Sequence, residues 1–168
     1  MRNFDLPGRS PVMALNGMAA TSHPLATLTA VNVLQNGGNA MDAAIAAVAV
    51  QCVVEPQSTG IGGDCFVLYA PKGGGEVIAF NGSGRTPAAA HTDWYLERGF
   101  KEVERLSAHA VTVPGAIAAW AQLNADHGGK ALGELLQPAI RFARDGYPVL
   151  PRVARDWQAE TETLKRDP

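Results

Sequence analysis

Charged residues are scarce in this chain of 168 residues, where they make up 18% of the sequence against 46% apolar residues. So low a share predicts that part of the folded surface is covered, by another chain or by another subunit. The formal net charge is only -2, and the Lys and Arg residues form no basic stripe. Nucleic acid and anionic membranes are therefore not expected as partners. Small polar molecules remain as ligands, and a homo-oligomer stays open.

Cysteine and histidine are also few and widely spaced. Cys52 falls in a predicted buried helix and Cys65 at the start of a predicted strand, so both are expected to be buried thiols. The four histidines lie far apart, and the sequence contains no Cys-x-x-Cys pair. Neither a metal site nor a cofactor is expected, because no group of ligands has a metal-binding spacing.

Long hydrophobic runs are missing as well. The longest uncharged apolar run, 43–54, is shorter than the roughly 20 residues that cross a bilayer, so it predicts a helix buried inside protein. The segment MRNFDLPGRSPV lacks the apolar core of a signal peptide. A cytoplasmic location is the expectation from these two features.

Two consecutive helices are predicted in the first third of the chain. Pro24 suits a first helical position, apolar residues recur after it at helical spacing, and Gly37 can end the helix in the left-handed conformation. Asn39, with Asp42 three residues later, is typical of an N-terminal cap for the next helix. The body of that helix, 43–54, is apolar on every face, which predicts a central position.

A hairpin is predicted next, because 65–69 and 76–80 are rich in aromatic and β-branched residues and are separated by proline and glycines. The remaining predictions are an extended arm over 1–11, a strand over 12–21, a loop over 81–86, and helices over 92–99, 116–126, 133–145 and 152–165. Two or three strands cannot cover this many helices. The fold class is therefore α+β, and 1–168 is interpreted as a single incomplete domain of a layered architecture.

The glycine-dense segment STGIGGDCF follows a helix and opens a strand, which is the reverse of a dinucleotide fingerprint. Gly60, Gly62 and Gly63 are therefore expected to adopt positive φ angles or to allow close backbone packing, with nucleotide binding as the less favoured alternative. Asp64 is expected to contact backbone amides in a turn, and a general base is the alternative.

Arg85, in the loop NGSGRTP, is the favoured ligand-binding residue. A guanidinium presents a fixed fork of donors that matches a carboxylate, and the two loop glycines would let a ligand approach the backbone. The alternative is a structural arginine paired with a nearby aspartate. Cys65 has no base that would make it a nucleophile. Trp94, Trp120 and Trp157 are expected to be packing residues.

Several sequence blocks resemble, in order, segments of the gamma-glutamyltransferases over about residues 9–149. The blocks are SHPLAT, GGNAMDAA, VVEP leading into GIGGDCF, NGSGRTPAAA, VTVPGAIAAW and PAIRFARDGYPV. The resemblance implies an N-terminal nucleophile hydrolase fold, a four-layer αββα sandwich whose precursor cuts itself into a large and a small subunit. It further implies that an N-terminal threonine attacks the γ-glutamyl carbonyl, and that Arg85 binds the α-carboxylate of the glutamyl group.

The family's nucleophile has no counterpart in these residues. The sequence contains no Thr-Thr-His processing site, and so no Gly-Gly pair that follows such a site to form an oxyanion hole. The resemblance therefore implies no catalytic residue in this chain, which would be the N-terminal part of a large subunit. The rest of the large subunit and the small subunit would be its partners, and the chain alone would be inactive. A glutaryl-amide acylase, or a noncatalytic fragment or assembly subunit, are the alternatives.

Overall fold

The computed structural model describes residues 11–165, so the arm predicted over 1–11 lies almost wholly outside the described residues. Within this range a two-stranded sheet accompanies eight α-helices. The elements are α1 (Pro24–Gln35), α2 (Ala40–Val54), β1 (Phe66–Tyr69), β2 (Ile78–Asn81), α3 (Thr92–Leu96), α4 (Ala116–His127), α5 (Leu132–Leu135), α6 (Gln137–Asp145), α7 (Pro151–Ala159) and α8 (Thr161–Leu164).

Helices α1 and α2 begin and end where local sequence predicts. The His23 ring Nδ1 accepts a hydrogen bond from the Leu25 amide at 3.1 Å and caps α1. Gly37 follows the helix with φ +81°, a conformation that glycine adopts without a side-chain penalty. Asn39 and Asp42 form a reciprocal capping box, in which each side chain accepts a hydrogen bond from the other residue's amide. The cap predicted for α2 is confirmed.

The Asp42 carboxylate also joins two distant parts of the chain. It is fully buried and accepts hydrogen bonds from the amides of Gly129 at 3.0 Å and Lys130 at 3.2 Å. Beside it, the Asn39 side-chain amide donates to the carbonyl oxygen of His127 at 2.8 Å. The N-terminus of α2 is thereby fixed to the connection between α4 and α5.

Helix α2 is central, as its uniform apolarity predicts. Helices α1, α4, α5 and α6 all pack against it, and none of Ala46, Val50 and Val54 is exposed to solvent. The neighbouring helices contribute Ala26, Trp120, Leu123 and Leu135 to the same cluster. This cluster is the hydrophobic core of the described residues.

Strands β1 and β2 form the predicted hairpin in antiparallel register, with Phe66 opposite Asn81 and Tyr69 opposite Ile78. Val67 and Tyr69 pack against the helical core. Phe66 and Leu68, on the opposite face, are 68% and 80% exposed. The sheet is therefore covered on one face only.

Three secondary-structure predictions need correction. Residues 11–21 form no strand, and the sheet among the described residues consists of β1 and β2. The helix predicted over 133–145 is divided at Leu136, since Pro138 can start a helix but cannot continue one. The last predicted helix is divided at Glu160 into α7 and α8. No helix in 11–165 is both long enough and apolar enough to span a membrane.

Candidate functional site

The loop that leaves β2 is held from two sides. The Gly84 amide donates to the Asp64 carboxylate at 2.9 Å, and the Val113 amide donates to the carbonyl oxygen of Arg85 at 3.0 Å. Asp64 thus contacts a backbone amide as predicted, but the amide lies 20 residues away and not in a local turn. These two bonds fix the backbone on either side of the Arg85 side chain.

The glycines of this loop are required by backbone packing. A Cβ atom on Gly82 would lie 2.5 Å from the Cβ of Ala119, and one on Gly84 would overlap the carbonyl oxygen of Val113. The expectation that these glycines open a path for a ligand is wrong, because Val113 and Ala119 occupy the space.

The positive φ angles expected for Gly60, Gly62 and Gly63 are not found, and of the close backbone packing expected there only a contact of Gly63 is present. None has a positive φ angle, and a Cβ atom added to any of them would meet no atom within 4 Å. Instead, the carbonyl oxygen of Gly63 accepts from the amides of Gly115 and Ala116 at 3.0 Å and so meets the start of α4. No helix begins within 60–63, the arrangement that a phosphate cradle needs.

Arg85 itself is exposed. The ion pairs among the described residues involve other side chains, so the structural pairing with a nearby aspartate does not occur within 11–165. The backbone at Arg85 is fixed while its guanidinium remains available. A free guanidinium on a fixed backbone suits the recognition of a carboxylate.

Both cysteines are half-buried, and neither resembles a nucleophile. Burial raises the pKa of the Cys52 thiol, and it also raises the pKa of the Cys65 thiol. A raised pKa keeps a thiol protonated and weakly reactive near neutral pH. No group of three or more potential metal ligands occurs among residues 11–165.

An aromatic cluster beside the loop was not predicted. Trp94, Tyr95 and Phe100 pack with His109, whose ring centroid lies 4.9 Å from that of Phe100 and 5.6 Å from that of Trp94. The signal was present in three aromatic residues within seven positions, but the histidine comes from a later segment. Of the other tryptophans, Trp120 is buried as expected, whereas Trp157 is 47% exposed.

The family model described as gamma-glutamyltranspeptidase matches residues 26–168. The chain belongs to this family. The resemblance inferred from the ordered sequence blocks is confirmed.

Curated relatives and solved structures agree with this assignment. The glutathione hydrolase-like YwrD proenzyme of Bacillus subtilis is 33% identical over 94% of this chain and 30% of its own length. The acylase ACY 1 proenzyme of Pseudomonas sp. (strain V22) is 34% identical over 95% of this chain and 30% of its own length. Helicobacter pylori gamma-glutamyltranspeptidase is 33% identical with a TM-score of 0.82, over 91% of this chain and 44% of that one. Cephalosporin acylase from Bacillus halodurans is 38% identical with a TM-score of 0.81, over 96% and 31%.

The chain spans about 30% of the length of these two curated relatives. Its helices and hairpin superpose on part of an N-terminal nucleophile hydrolase, which confirms the α+β fold class. The assigned family thus places the Arg85 loop within a known type of architecture.

Proposed function

We propose that this chain is the N-terminal portion of the large subunit of an enzyme that hydrolyses or transfers the γ-glutamyl group of glutathione-type amides. The precursor cleaves itself, and a threonine outside this chain becomes the nucleophile. The exposed guanidinium of Arg85, on a loop fixed by Asp64 and Val113, is the observation that carries the proposal.

Arg85 supplies binding and orientation in this scheme. Its fork of N–H donors holds the carboxylate of the acyl donor, so the scissile carbonyl is presented in one orientation to the threonine hydroxyl. The hydroxyl oxygen adds to the carbonyl carbon, and the amine departs with the proton that the hydroxyl loses. Water or an acceptor amine then displaces the threonine from the acyl-enzyme.

The test is the release of p-nitroaniline from γ-glutamyl-p-nitroanilide by the full gene product. We predict that Arg85→Ala lowers kcat/KM by roughly 30- to 1000-fold, which corresponds to a loss of about 2 to 4 kcal/mol in transition-state binding. Arg85→Lys should fall in between, because an ammonium group keeps the charge but loses the bidentate fork.

The matched control is Arg152→Ala, which removes another exposed arginine, one that pairs with Asp156 at 3.0 Å on α7. It should leave kcat/KM unchanged. An Arg85→Ala variant with the kcat/KM of the unmodified enzyme would show that the arginine does not bind the donor.

A glutaryl-amide acylase is the second candidate, favoured by the 38% identity to a cephalosporin acylase over 96% of this chain. A glutaryl donor also carries a carboxylate and lacks only the α-amino group, so Arg85 suits both. The ratio of kcat/KM for γ-glutamyl and glutaryl p-nitroanilides distinguishes the two.

Mass spectrometry of the full gene product should show a second chain that begins with threonine. Cleavage without activity on either donor would rule out both substrate classes, whereas a single uncleaved chain would favour a noncatalytic fragment or assembly subunit.

A further inference from the structure

We infer that a cavity next to Arg85 binds the amine half of the amide substrate, and that it favours an amine with an apolar ring. The cavity has a volume of about 260 Å³ and is lined by Pro87, three alanines, Val111, Trp94, Tyr95 and His109. We call it the aromatic cavity. The inference rests on the proposed function, because it assigns one half of the donor to each of two adjoining sites.

The chain path places the aromatic cavity beside the carboxylate-binding arginine. Pro87 is two residues from Arg85, which limits the separation of their Cα atoms to about 7 Å. On the opposite side, Val111 lies two residues from Val113, whose amide bonds to the carbonyl oxygen of Arg85. An amide donor of ordinary length held by Arg85 is therefore within reach of the aromatic cavity.

The walls of the aromatic cavity are held in place by contacts among their own side chains. Trp94 and Tyr95 pack edge to face at 5.0 Å between ring centroids, and Tyr95 meets the His109 ring at 5.7 Å. The Arg98 guanidinium lies 4.1 Å from the centre of the Trp94 ring and so covers part of that ring. A preassembled wall reduces the ordering cost of binding.

These aromatic residues are not part of the main hydrophobic core. The core cluster and the residues packed against it include neither Trp94, Tyr95 nor Phe100. Their burial therefore does not serve the packing of α2. The half-buried rings of Trp94 and Tyr95 instead line a cavity that is open to solvent.

The chemistry of the lining selects which half of the donor enters. Apart from Trp94, Tyr95 and His109, the lining residues have no polar side-chain groups. The acyl half carries the carboxylate, and a charged group loses solvation in such surroundings. An uncharged amine half is the suitable occupant, so among γ-glutamyl amides the cavity favours those of uncharged ring amines over glutathione, whose amine half carries its own carboxylate. A cavity of about 150 Å³ can hold benzene, so the volume here suffices for one ring.

The experiment compares two donors that share the acyl half and differ in the amine. The full gene product and its Trp94→Ala variant are assayed with γ-glutamyl-p-nitroanilide and with glutamine, which releases only ammonia. We predict that the substitution lowers kcat/KM for the anilide by about tenfold or more, mainly through KM. The value for glutamine should stay within about twofold.

A second variant tests whether the loss expected in Trp94→Ala could come from misfolding. Ala90→Leu adds bulk to the cavity wall without removing an aromatic residue, and it should show the same selective loss. Phe100→Leu is the matched control, because Phe100 contacts Trp94 and His109 but does not line the cavity. It should leave the ratio between the two donors unchanged.

Direct binding separates this inference from the proposed function. Aniline titrated into the full gene product should give saturable binding that Ala90→Leu abolishes, whether or not the sample turns over. Absent binding, or equal losses for both donors in Trp94→Ala and Ala90→Leu, would overturn the cavity assignment while the hydrolase proposal stands. Inactivity of the unmodified protein on both donors, with aniline still bound, would instead overturn the proposed reaction.

Discussion

The α1–α2 pair and the hairpin with its following loop differ in how much of their apolar surface is covered by the chain. The helices bury their apolar residues within the chain, and the two caps are satisfied by neighbouring residues. The hairpin buries only one face, and its loop depends on contacts with Asp64 and Val113. The hairpin region, which carries the candidate binding residue, therefore has less of its apolar surface covered by the described chain than the helical pair has.

The largest effect expected is at Asp42, where the helical region itself depends on a long-range contact. Asp42→Ala should lower the free energy of unfolding by about 3 to 5 kcal/mol, because the amides of Asn39, Gly129 and Lys130 lose a buried charged acceptor. Asp42→Asn should cost less, since it keeps one acceptor oxygen. Urea denaturation of the full gene product measures both.

Asp126→Ala is the control, because it removes an exposed carboxylate whose hydrogen bonds within 11–165 go to Gln122 on the same helix. Its effect should stay within about 0.5 kcal/mol. Equal effects at the two positions would show that the contact between α2 and the α4–α5 connection contributes little.

Local signals make the helical region predictable. A capping box spans four residues, and the apolarity of α2 is continuous along the chain, so neighbouring residues alone indicate both features. The hydrogen bond that the Gly129 amide donates to the Asp42 carboxylate joins residues 87 positions apart and has no local signature. The cap is therefore predictable, but its role in joining α2 to the α4–α5 connection is not.

The glycines also show what local sequence cannot predict. Gly62 and Gly84 occur in similar glycine-rich strings, yet only Gly84 lies against another backbone, at Val113. A glycine is required by its neighbours in space, and sequence reports only its neighbours along the chain. Arg85 could be proposed from its residue type and its loop. The aromatic cavity could not, because His109 joins Trp94 only in the folded chain.

An intermediate effect is expected at Gly84, where the binding loop meets the rest of the chain. Gly84→Ala places a Cβ atom on the carbonyl oxygen of Val113, so the loop must move at a cost of about 1 to 3 kcal/mol. The displacement should also lower kcat/KM on γ-glutamyl-p-nitroanilide, because Arg85 is the next residue. Thermal unfolding and steady-state kinetics measure the two consequences.

Gly62→Ala is the matched control for this substitution. Gly62 has no positive φ angle, and an added Cβ atom would meet nothing within 4 Å. Its stability change should stay within about 0.5 kcal/mol, with kcat/KM unchanged. A larger loss of stability for Gly62→Ala than for Gly84→Ala would contradict the close packing of Gly84 and the open surroundings of Gly62.

The smallest effect is expected on the open face of the hairpin. In the chain of 168 residues, Leu68→Ser should change stability by less than about 0.5 kcal/mol, because the leucine is already 80% exposed. Val67→Ser, one position earlier on the covered face, should cost about 1 to 3 kcal/mol. We expect the full gene product to narrow this gap, since the remaining polypeptide of a family member would cover an exposed apolar face. If Leu68→Ser also changes the stability of the full gene product by less than about 0.5 kcal/mol, the outer face of the hairpin is exposed to solvent there, and the hairpin differs from the helical pair in the complete protein as well.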